Sequence, residues 1–342
     1  ETHFHADFVS GHVTLAEKTG AKIIYGPTAK TSFDSLIAKD NQIFEVGKVK
    51  IKVLHTPGHT MESSCFLLID ENGKETAIFT GDTLFLGDVG RPDLAQKSGS
   101  LTIQDLAGFL FESLRNKIMP LSDDITVYPG HGAGSACGKN MMKETVDTLG
   151  NQKNMNYALR ADMTKEEFVR EVTDGLTAPP QYFPKNVGMN KGINKSYDAI
   201  LAEGKKGLSV EGFKTLSANG ALVLDVRPQS DYIKSHIPNS IFIGLNGGFA
   251  PWVGALILDI KQEIILITPE GREEEAVTRL SRIGYDNSNG VLKGGVRTWI
   301  SEGNSIDTIE TVSAADFGRK VQEEKVTVMD VRKESEFNSE HI

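Results

Sequence analysis

Cysteine is scarce in this sequence, and long apolar runs and an excess of basic residues are absent. The 342 residues include only two cysteines, Cys65 and Cys137, too few for a disulfide framework and typical of a reducing compartment. No apolar stretch approaches the ~18 residues that a membrane-spanning helix needs. Lys and Arg number 37 against 46 Asp and Glu, giving a net charge of −9, which argues against a nucleic-acid partner. We therefore expect a cytoplasmic protein that acts on small molecules, with no membrane and no nucleic-acid partner.

The composition is otherwise that of ordinary globular domains, with 39% apolar residues, 24% charged residues and 34 glycines. At roughly 150 residues per domain, the length predicts about two domains and a remainder. We place the first domain at residues 1–195, the second at 196–308 and the start of a third at 309–342. Because the chain opens at Glu1 directly on a histidine cluster, we expect the first domain to lack an N-terminal part.

The first domain combines predicted strands with two capped helices. Short β-branched or apolar runs alternate with Gly, Pro and Asn, which is typical of strands joined by turns. The runs are Ala21–Tyr25, Ile51–His55, Cys65–Ile69, Ala77–Thr80 and Ile125–Tyr128. Capping boxes at Thr102 and Thr164 predict helices over Leu106–Met119 and Phe168–Leu176.

A proline-rich segment, Thr177–Pro184, follows these helices, with Gly188 and Gly192 just beyond it. Because proline lacks the backbone N–H and glycine weakens helices, this pattern predicts a linker or rim. We place the domain boundary near residue 195.

Beyond residue 195, strands alternate with helices, which predicts a parallel α/β sheet. The expected elements are helix Val210–Ser217, strands Leu222–Val226 and Ile264–Ile267, helix Glu273–Ile283 and a short helix after Gly294 and Gly295.

A long-period repeat follows in the same region. Asp225-Val-Arg227 precedes His236-Ile237, and Asp330-Val-Arg332 precedes His341-Ile342 with the same spacing. Because this period has the size of a domain, it predicts that a second copy of the same domain begins with its first strand and is truncated.

Six of the eight histidines lie in the first 131 residues, and most stand in groups near the ends of predicted strands. The groups are Thr2-His3-Phe4-His5-Ala6-Asp7-Phe8, Thr56-Pro57-Gly58-His59, Thr80-Gly81-Asp82 and Tyr128-Pro129-Gly130-His131. Glycines that allow tight turns can bring such imidazoles and carboxylates onto one cation. We interpret the set as a metal site, and the isolated His12 and His55 as structural.

The set resembles the metallo-β-lactamase superfamily pattern, which is His-x-His-x-Asp-His followed by Gly-His, Gly-Asp and a further His. The resemblance covers residues 1–195 and implies an αββα sandwich. Phe8 stands where the binuclear zinc hydrolases of this superfamily have a histidine. Because a phenyl ring cannot coordinate a metal, the second metal site would retain only Asp7 and His131. We therefore expect a mononuclear site.

Within the superfamily, the pattern resembles the persulfide dioxygenases, which are mononuclear iron enzymes. The resemblance implies Fe(II), one per chain, on His3, His59 and Asp82. Two histidines and one carboxylate form the facial triad of non-haem Fe(II) oxygenases, whereas zinc usually keeps four-coordinate geometry with one open position. The groups that would orient the ligands or relay protons are His5, Asp7 and His131. The alternative is that His5 or His131 binds the metal directly.

Three further residues carry predictions about the site. The run Gly87–Leu94 also resembles the persulfide dioxygenases, which implies that Arg91 and Asp93 organise the entrance of the site. The alternative for this pair is a surface ion pair. Cys137 follows His131 in a glycine-rich loop, where a nearby cation would lower its pKa and make it a nucleophile or persulfide carrier. The alternative for Cys137 is a small packed residue, and we assign Cys65 to the core.

The second region resembles a rhodanese domain over residues 200–305, with a doubly wound α/β fold as the implied architecture. The resemblance rests on Asp225-Val-Arg227, His236–Ser240 and Gly294–Trp299. A working rhodanese has a cysteine in an active loop that ends in arginine, but the corresponding loop here, Ile267–Arg272, has none. We expect a non-catalytic spacer or docking domain, with the next repeat as the place for the missing cysteine.

Together these resemblances imply oxidation of a low-molecular-weight thiol persulfide by O₂ to sulfite and free thiol. Rhodanese-type domains would couple this step to thiosulfate formation in sulfide detoxification. The expected partners are the thiol persulfide, O₂ and further copies of the chain in a homo-oligomer. Two alternatives remain open. One is a binuclear zinc thioester hydrolase of the glyoxalase II kind, against which Phe8 argues, and the other is a non-enzymatic sulfur-responsive scaffold.

Overall fold

Two β-sheets organise the chain, a six-stranded mixed sheet and a five-stranded parallel sheet. The computed structural model describes residues 1–94, 101–323, 326–332 and 334–341. The described chain contains no helix with the length and apolar character needed to cross a membrane.

The six-stranded sheet has the spatial order β3-β4-β5-β6-β7-β8. Its neighbours pair antiparallel except for the parallel β6–β7 pair. A separate pair of parallel strands, β1 and β2, precedes it in the chain. The strands are β1 Ile24–Tyr25, β2 Leu36–Ile37, β3 Ile43–Val46, β4 Val49–His55, β5 Ser64–Ile69, β6 Glu75–Gly81, β7 Thr126–Pro129 and β8 Asp147–Thr148.

Three helices of this region, α2 Ile103–Ser113, α3 Leu149–Met155 and α4 Lys165–Thr173, pack apolar side chains against the sheet. Leu54, Leu67 and Ile78 from the strands form a buried core with Leu110 and Leu114. The helices are α1 His12–Thr19, α2 Ile103–Ser113, α3 Leu149–Met155, α4 Lys165–Thr173 and α5 Phe183–Lys191, with a π-helical turn at Leu114–Ile118 and a 3₁₀ turn at Tyr157–Leu159.

The predicted strands of this region all form, with ends shifted by up to three residues, and both capping boxes are confirmed. The Thr102 and Thr164 hydroxyls accept hydrogen bonds from the backbone N–H groups of Asp105 and Glu167. The prediction of a linker is wrong at its end, because α5 begins at Phe183. Pro184 stands in the first turn of that helix, where its missing N–H costs no hydrogen bond.

The second sheet is parallel throughout, as predicted, with the order β11-β10-β12-β13-β9. Its strands are β9 Gly207–Leu208, β10 Leu222–Asp225, β11 Ile241–Phe242, β12 Ile264–Ile267 and β13 Ser288–Leu292. The helices around it are α6 Tyr197–Gly204, α7 Val210–Ala218, α8 Gln229–Lys234, α9 Phe249–Leu256, α10 Glu273–Ser281 and α11 Gly295–Ser301. All four residues of β12 are buried, as expected for a central strand covered on both faces.

The last described residues form two exposed helices, α12 Ala314–Glu323 and α13 Glu334–Ser339. The strand predicted around Asp330 is not formed among residues 326–332, because a strand needs a neighbour to pair its backbone groups. The local geometry of the repeat nevertheless recurs. Arg227 Nη2 donates to Asp225 Oδ2 at 2.6 Å, and Arg332 Nη2 donates to Asp330 Oδ2 at the same distance. The final residue of the repeat, Ile342, lies outside the described residues.

Candidate metal centre

Four loops converge to form a buried cluster of histidines and carboxylates. Three of them follow strands, as predicted: His59 comes after β4, Asp82 after β6 and His131 after β7. The N-terminal loop with His3 joins them through a hydrogen bond from Ser64 N to Thr2 O of 2.9 Å. Close backbone approach requires Gly130, where a Cβ would lie 2.6 Å from Asp82 Oδ1.

Three imidazoles point at the Asp82 carboxylate. The Nε2 atoms of His3, His59 and His131 lie 3.8, 3.4 and 3.3 Å from Asp82 Oδ2. His3, His59 and Asp82 are each 1% exposed, so this convergence is shielded from bulk water. The three residues predicted as metal ligands therefore lie together.

The opposite ring nitrogens of two histidines are held by neighbouring oxygens. His59 Nδ1 lies 2.8 Å from the carbonyl oxygen of Arg91, and His3 Nδ1 lies 3.0 Å from Thr2 Oγ1. Because a carbonyl only accepts, His59 Nδ1 carries the proton and its Nε2 lone pair faces the cluster. This is how a histidine is oriented for metal binding.

The donor set fits a metal ion. Both carboxylate oxygens of Asp82 are buried, and neither has a hydrogen-bond partner among the described residues. Ligand atoms of His3, His5 and Asp82 lie within 4.8 Å of one another. Buried polar groups without partners are costly unless a ligand satisfies them, so a cation on this cluster accounts for the arrangement.

A second compact group of donors lies beside the first. It consists of His5, Asp7 and His131, again within 4.8 Å of one another. His59 lies in neither group but touches Asp82 directly. The sequence pattern left only Asp7 and His131 for a second metal site. The structure adds His5 to these two residues.

The charges in the cluster follow from burial and proximity. Burial and the neighbouring His5 hold the pKa of His3 well below its ordinary value. Burial alone would raise the pKa of Asp82, but His3 and His59 lower it. Burial would lower the pKa of His131, but Asp82 and Asp7 raise it to about 9. A neutral imidazole beside an ionised carboxylate is the protonation state that metal binding requires.

Phe8 packs beside this second group. Its ring stacks on the His5 imidazole at 4.2 Å and meets the His131 ring edge-on at 6.4 Å, while the His5 and His131 rings lie 6.2 Å apart. An apolar ring therefore flanks two potential ligands, where a histidine would supply a further nitrogen.

Arg91 and Asp93 form a bidentate ion pair, with both N–O distances at 2.6 Å. Arg91 is 5% exposed, so this is not a surface pair. The Arg91 backbone also accepts from His59 Nδ1 and donates to the carbonyl oxygen of Cys137. The pair therefore connects the His59 loop to the Cys137 loop.

The structure brings Cys137 to the cluster, with its Sγ within 4.8 Å of ligand atoms of Asp82 and His131. The lowered pKa is predicted for the thiol beside a bound cation and stays a prediction. Burial raises the pKa of this thiol well above its ordinary value, and the Asp82 and Asp7 carboxylates add to that shift. A cation bound to the same cluster would oppose the shift.

The residues assigned to structural roles lie away from the metal cluster. Cys65 is fully buried in β5, and burial raises its pKa to about 11. His55 Nε2 lies 2.9 Å from the carbonyl oxygen of Met61. His12 is buried against the ring of Phe33 at 4.9 Å.

Asn190 is the most important residue that the sequence pattern missed. It is fully buried near the end of α5, and its Nδ2 donates to the carbonyl oxygens of His5 and Phe8 at 2.8 and 2.7 Å. Its Oδ1 accepts from Ser10 N at 2.8 Å. One amide thus fixes the backbone on both sides of Asp7, and no local sequence signal marks it.

The same helix α5 contacts the second sheet region. Lys185 Nζ donates to the carbonyl oxygen of Leu258 at 2.9 Å. At Gly284, a Cβ would lie 2.8 Å from Met189 Sδ and 2.9 Å from Asn186 Oδ1. The helix therefore lies between the metal loop and the second sheet.

A cavity of about 270 Å³ opens beside His59. Its walls come from the metal loop, the segment after His59 and helix α5. The lining residues include Phe4, Met61, Glu62, Leu94, Val187 and Lys191. We refer to it as the His59 cavity.

The loop after β12, at the end of the second sheet, contains no cysteine. Thr268 follows the strand, and Glu273 Oε1 accepts a hydrogen bond from Gly271 N at 3.2 Å. Arg272 forms a two-point ion pair with Glu275 at 2.7 and 2.8 Å. A carboxylate and a paired arginine therefore stand where an anion-binding loop would present free donors.

Comparisons with known proteins agree with this two-part fold. A rhodanese-like domain family model matches residues 209–302. The crystal structure of a metallo-beta-lactamase from Staphylococcus aureus superposes with a TM-score of 0.72 at 31% identity, covering 85% of this chain and 82% of that one.

Two curated relatives each match a little over half of the chain. A probable hydroxyacylglutathione hydrolase of Schizosaccharomyces pombe is 27% identical over 196 residues, which is 56% of this chain and 71% of the relative. Glyoxylase B2 of Dictyostelium discoideum is 30% identical over 213 residues, covering 56% of this chain and 68% of the relative.

Proposed function

We propose, on the premise that this chain belongs to the metallo-β-lactamase superfamily and carries a rhodanese-like domain, that it is a persulfide dioxygenase. Its substrate is a low-molecular-weight thiol persulfide. One persulfide, one O₂ and one water give one thiol, one sulfite and two protons. The terminal sulfur loses four electrons, which O₂ gains.

The observation that carries the proposal is the Phe8 ring stacked on His5 at 4.2 Å. It favours one metal on His3, His59 and Asp82 over a hydrolytic pair. Two imidazoles and one carboxylate suit Fe(II), one per chain, which would supply the redox chemistry between the persulfide and O₂.

The residues around the ligands have separate roles in this proposal. The Arg91 carbonyl oxygen keeps His59 Nε2 directed at the cluster. Asp7 Oδ2 lies 3.4 Å from His131 Nε2, so this pair can hold a proton beside the departing thiolate sulfur. Burial of the cluster excludes bulk water from the reacting sulfur.

The rhodanese-like domain favours a second step, in which a persulfide sulfur passes to sulfite to give thiosulfate and free thiol. Its own loop carries Thr268 after the strand and no cysteine. Cys137, within the metal cluster, is the only thiol near the site in the described chain. We place both steps in the cytoplasm, because the two cysteines are free thiols.

A binuclear thioester hydrolase is the second candidate, and two observations favour it. His5, Asp7 and His131 form a compact donor group beside Asp82. The curated relatives in yeast and Dictyostelium carry the names of a hydroxyacylglutathione hydrolase and a glyoxylase. This candidate requires two zinc ions per chain and hydrolysis of a glutathione thioester.

Replacement of Asp82 by Ala tests the proposal. Because three imidazoles converge on this carboxylate, we expect metal binding and persulfide-dependent O₂ uptake to be lost together, while circular dichroism shows a folded chain. Asp162→Ala, which removes an exposed carboxylate paired with Arg160, is the control and retains both. O₂ uptake retained by Asp82→Ala would remove Asp82 from the ligands.

A further inference from the structure

The His59 cavity carries two opposite charges that are not paired with each other. We infer that the thiol carrier of the substrate bears an α-amino-carboxylate group, whose carboxylate binds Lys191 and whose ammonium binds Glu62. This inference rests on the proposed function, because it places the substrate in the cavity beside His59.

Lys191 is the last residue of α5, and its Nζ lies 5.0 Å from the centroid of the Phe4 ring. Among the described residues, no carboxylate lies within ion-pair distance of this ammonium. The aromatic ring orients the Lys191 ammonium but leaves its positive charge unpaired. The ammonium can therefore bind a carboxylate that enters the cavity.

Glu62 stands on another wall of the same cavity. Its Oε1 accepts a hydrogen bond from Phe4 N at 3.1 Å, which fixes the carboxylate in place. Within the part of the chain that the structure describes, it has no cationic partner. Both charges are thus positioned by Phe4, the residue next to His3, and they can hold the two ends of a zwitterion.

The cavity is small, and much of the rest of its wall is apolar. Its volume of about 270 Å³ lies at the lower end of the range of roughly 300–1,000 Å³ for small-molecule sites. Met61, Leu94 and Val187 supply apolar surface. This size favours cysteine, or the γ-glutamyl end of glutathione, over a thiol that carries a nucleotide.

Unreactive thioethers test the inference by binding alone. Calorimetric titration of Co(II)-loaded protein would use S-methylcysteine, 3-(methylthio)propionate, which lacks the ammonium, and 2-(methylthio)ethylamine, which lacks the carboxylate. We expect Lys191→Met to weaken the first two at least tenfold and leave the amine unchanged. Glu62→Gln, which keeps the oxygen that accepts from Phe4 N, is expected to weaken S-methylcysteine and the amine only.

Control variants separate recognition from folding and from net charge. Lys191→Arg keeps the cation and is expected to keep the preference for carboxylates. Lys48→Met removes an exposed charge paired with Glu71 and leaves all affinities unchanged. Equal weakening of all three ligands by Lys191→Met, or no weakening of any, overturns the inference.

Two further comparisons complete the test. S-methylglutathione identifies the source of the group. Binding that is tighter than that of S-methylcysteine and is lost in both Lys191→Met and Glu62→Gln assigns the cavity to the γ-glutamyl end, which carries the only ammonium of glutathione. If O₂ uptake is absent but the charge-specific binding is present, the dioxygenase proposal fails and the recognition of a zwitterion stands. If uptake is present without charge-specific binding, the inference fails alone.

Discussion

Phe8 is the side chain on which the number of metal ions depends. It packs against His5 and His131, at ring distances of 4.2 and 6.4 Å, and supplies no ligand atom. His5, Asp7 and His131 form a compact group beside it. The identity of this one residue therefore distinguishes the mononuclear dioxygenase from the binuclear hydrolase, the two functions proposed for this site.

Phe8→His tests this role at the residue scale. Because the new imidazole would join Asp7 and His131, we expect zinc-loaded protein to rise from one to two metal ions per chain by elemental analysis. We expect iron-loaded protein of the same variant to lose persulfide-dependent O₂ uptake. Phe33→His adds a histidine beside His12, outside the cluster, and is expected to keep one ion. A single ion in Phe8→His would show that this position does not limit the second site.

Single residues of the site were predictable where the chemistry is local in the sequence. The convergence of His3, His59 and Asp82 follows from motifs at loop positions, and the structure brings these three together. The burial that raises the pKa of Cys137 was not predictable, because it depends on tertiary packing and not on the local glycine-rich sequence. The role of Lys191 was also not predictable, because it depends on the contact of its ammonium with the ring of Phe4, at the other end of the first region.

Helix α5 is the element that sequence patterns misjudged. Its prolines and glycines predicted a linker, but burial of Phe183 and the three hydrogen bonds of the buried Asn190 stabilise a helix there. Tertiary contacts outweigh weak helix propensity in such a segment. The strands and the two capped helices were predictable because hydrophobic alternation and capping boxes are local signals.

Asn190→Ala tests whether α5 positions the metal loop. Loss of three hydrogen bonds leaves the His5 and Phe8 carbonyl groups and the Ser10 N–H without partners, so we expect about 2–4 kcal/mol less stability in urea unfolding. We also expect Co(II) affinity to fall at least tenfold, as for other supporting residues of metal sites.

Asn186→Ala is the matched control on the same helix. This side chain is equally buried, but neither polar atom has a hydrogen-bond partner among the described residues, and it contacts Gly284 instead of the metal loop. We expect unchanged Co(II) affinity. Equal losses of affinity in both variants would contradict a specific role for Asn190.

At the scale of the whole molecule, the two regions meet at contacts that no sequence pattern indicated. Val9 N donates to the carbonyl oxygen of Arg282 at 2.7 Å, next to the metal loop. A cavity of about 310 Å³ beside this contact is lined by both regions, including His12, Lys195 and Asp286. The parallel sheet was predictable from alternating strands and helices, whereas these contacts depend on which surfaces pack together.

Asp286 makes this junction sensitive to pH. Burial raises its pKa from the ordinary value of 3.8 to about 6, although nearby Lys195 opposes the shift. The folded protein therefore binds this proton more readily than the unfolded chain, and the carboxylate destabilises the fold increasingly as pH rises from about 4 to above 6. We expect Asp286→Asn to raise the free energy of unfolding by about 2–3 kcal/mol near pH 7.5, with the gain vanishing near pH 4.

Urea unfolding at the two pH values measures this effect. Asp198→Asn removes an exposed carboxylate paired with Lys18 and is expected to change stability by less than about 1 kcal/mol at either pH. A gain in Asp286→Asn that is equal at both pH values would contradict the assignment.

Oxygen uptake by metal-analysed protein with cysteine persulfide tests the central claim most directly. We predict one iron per chain, uptake that depends on the persulfide, and one O₂ consumed for each sulfite formed. Two zinc ions per chain, no O₂ uptake and hydrolysis of a glutathione thioester would contradict it.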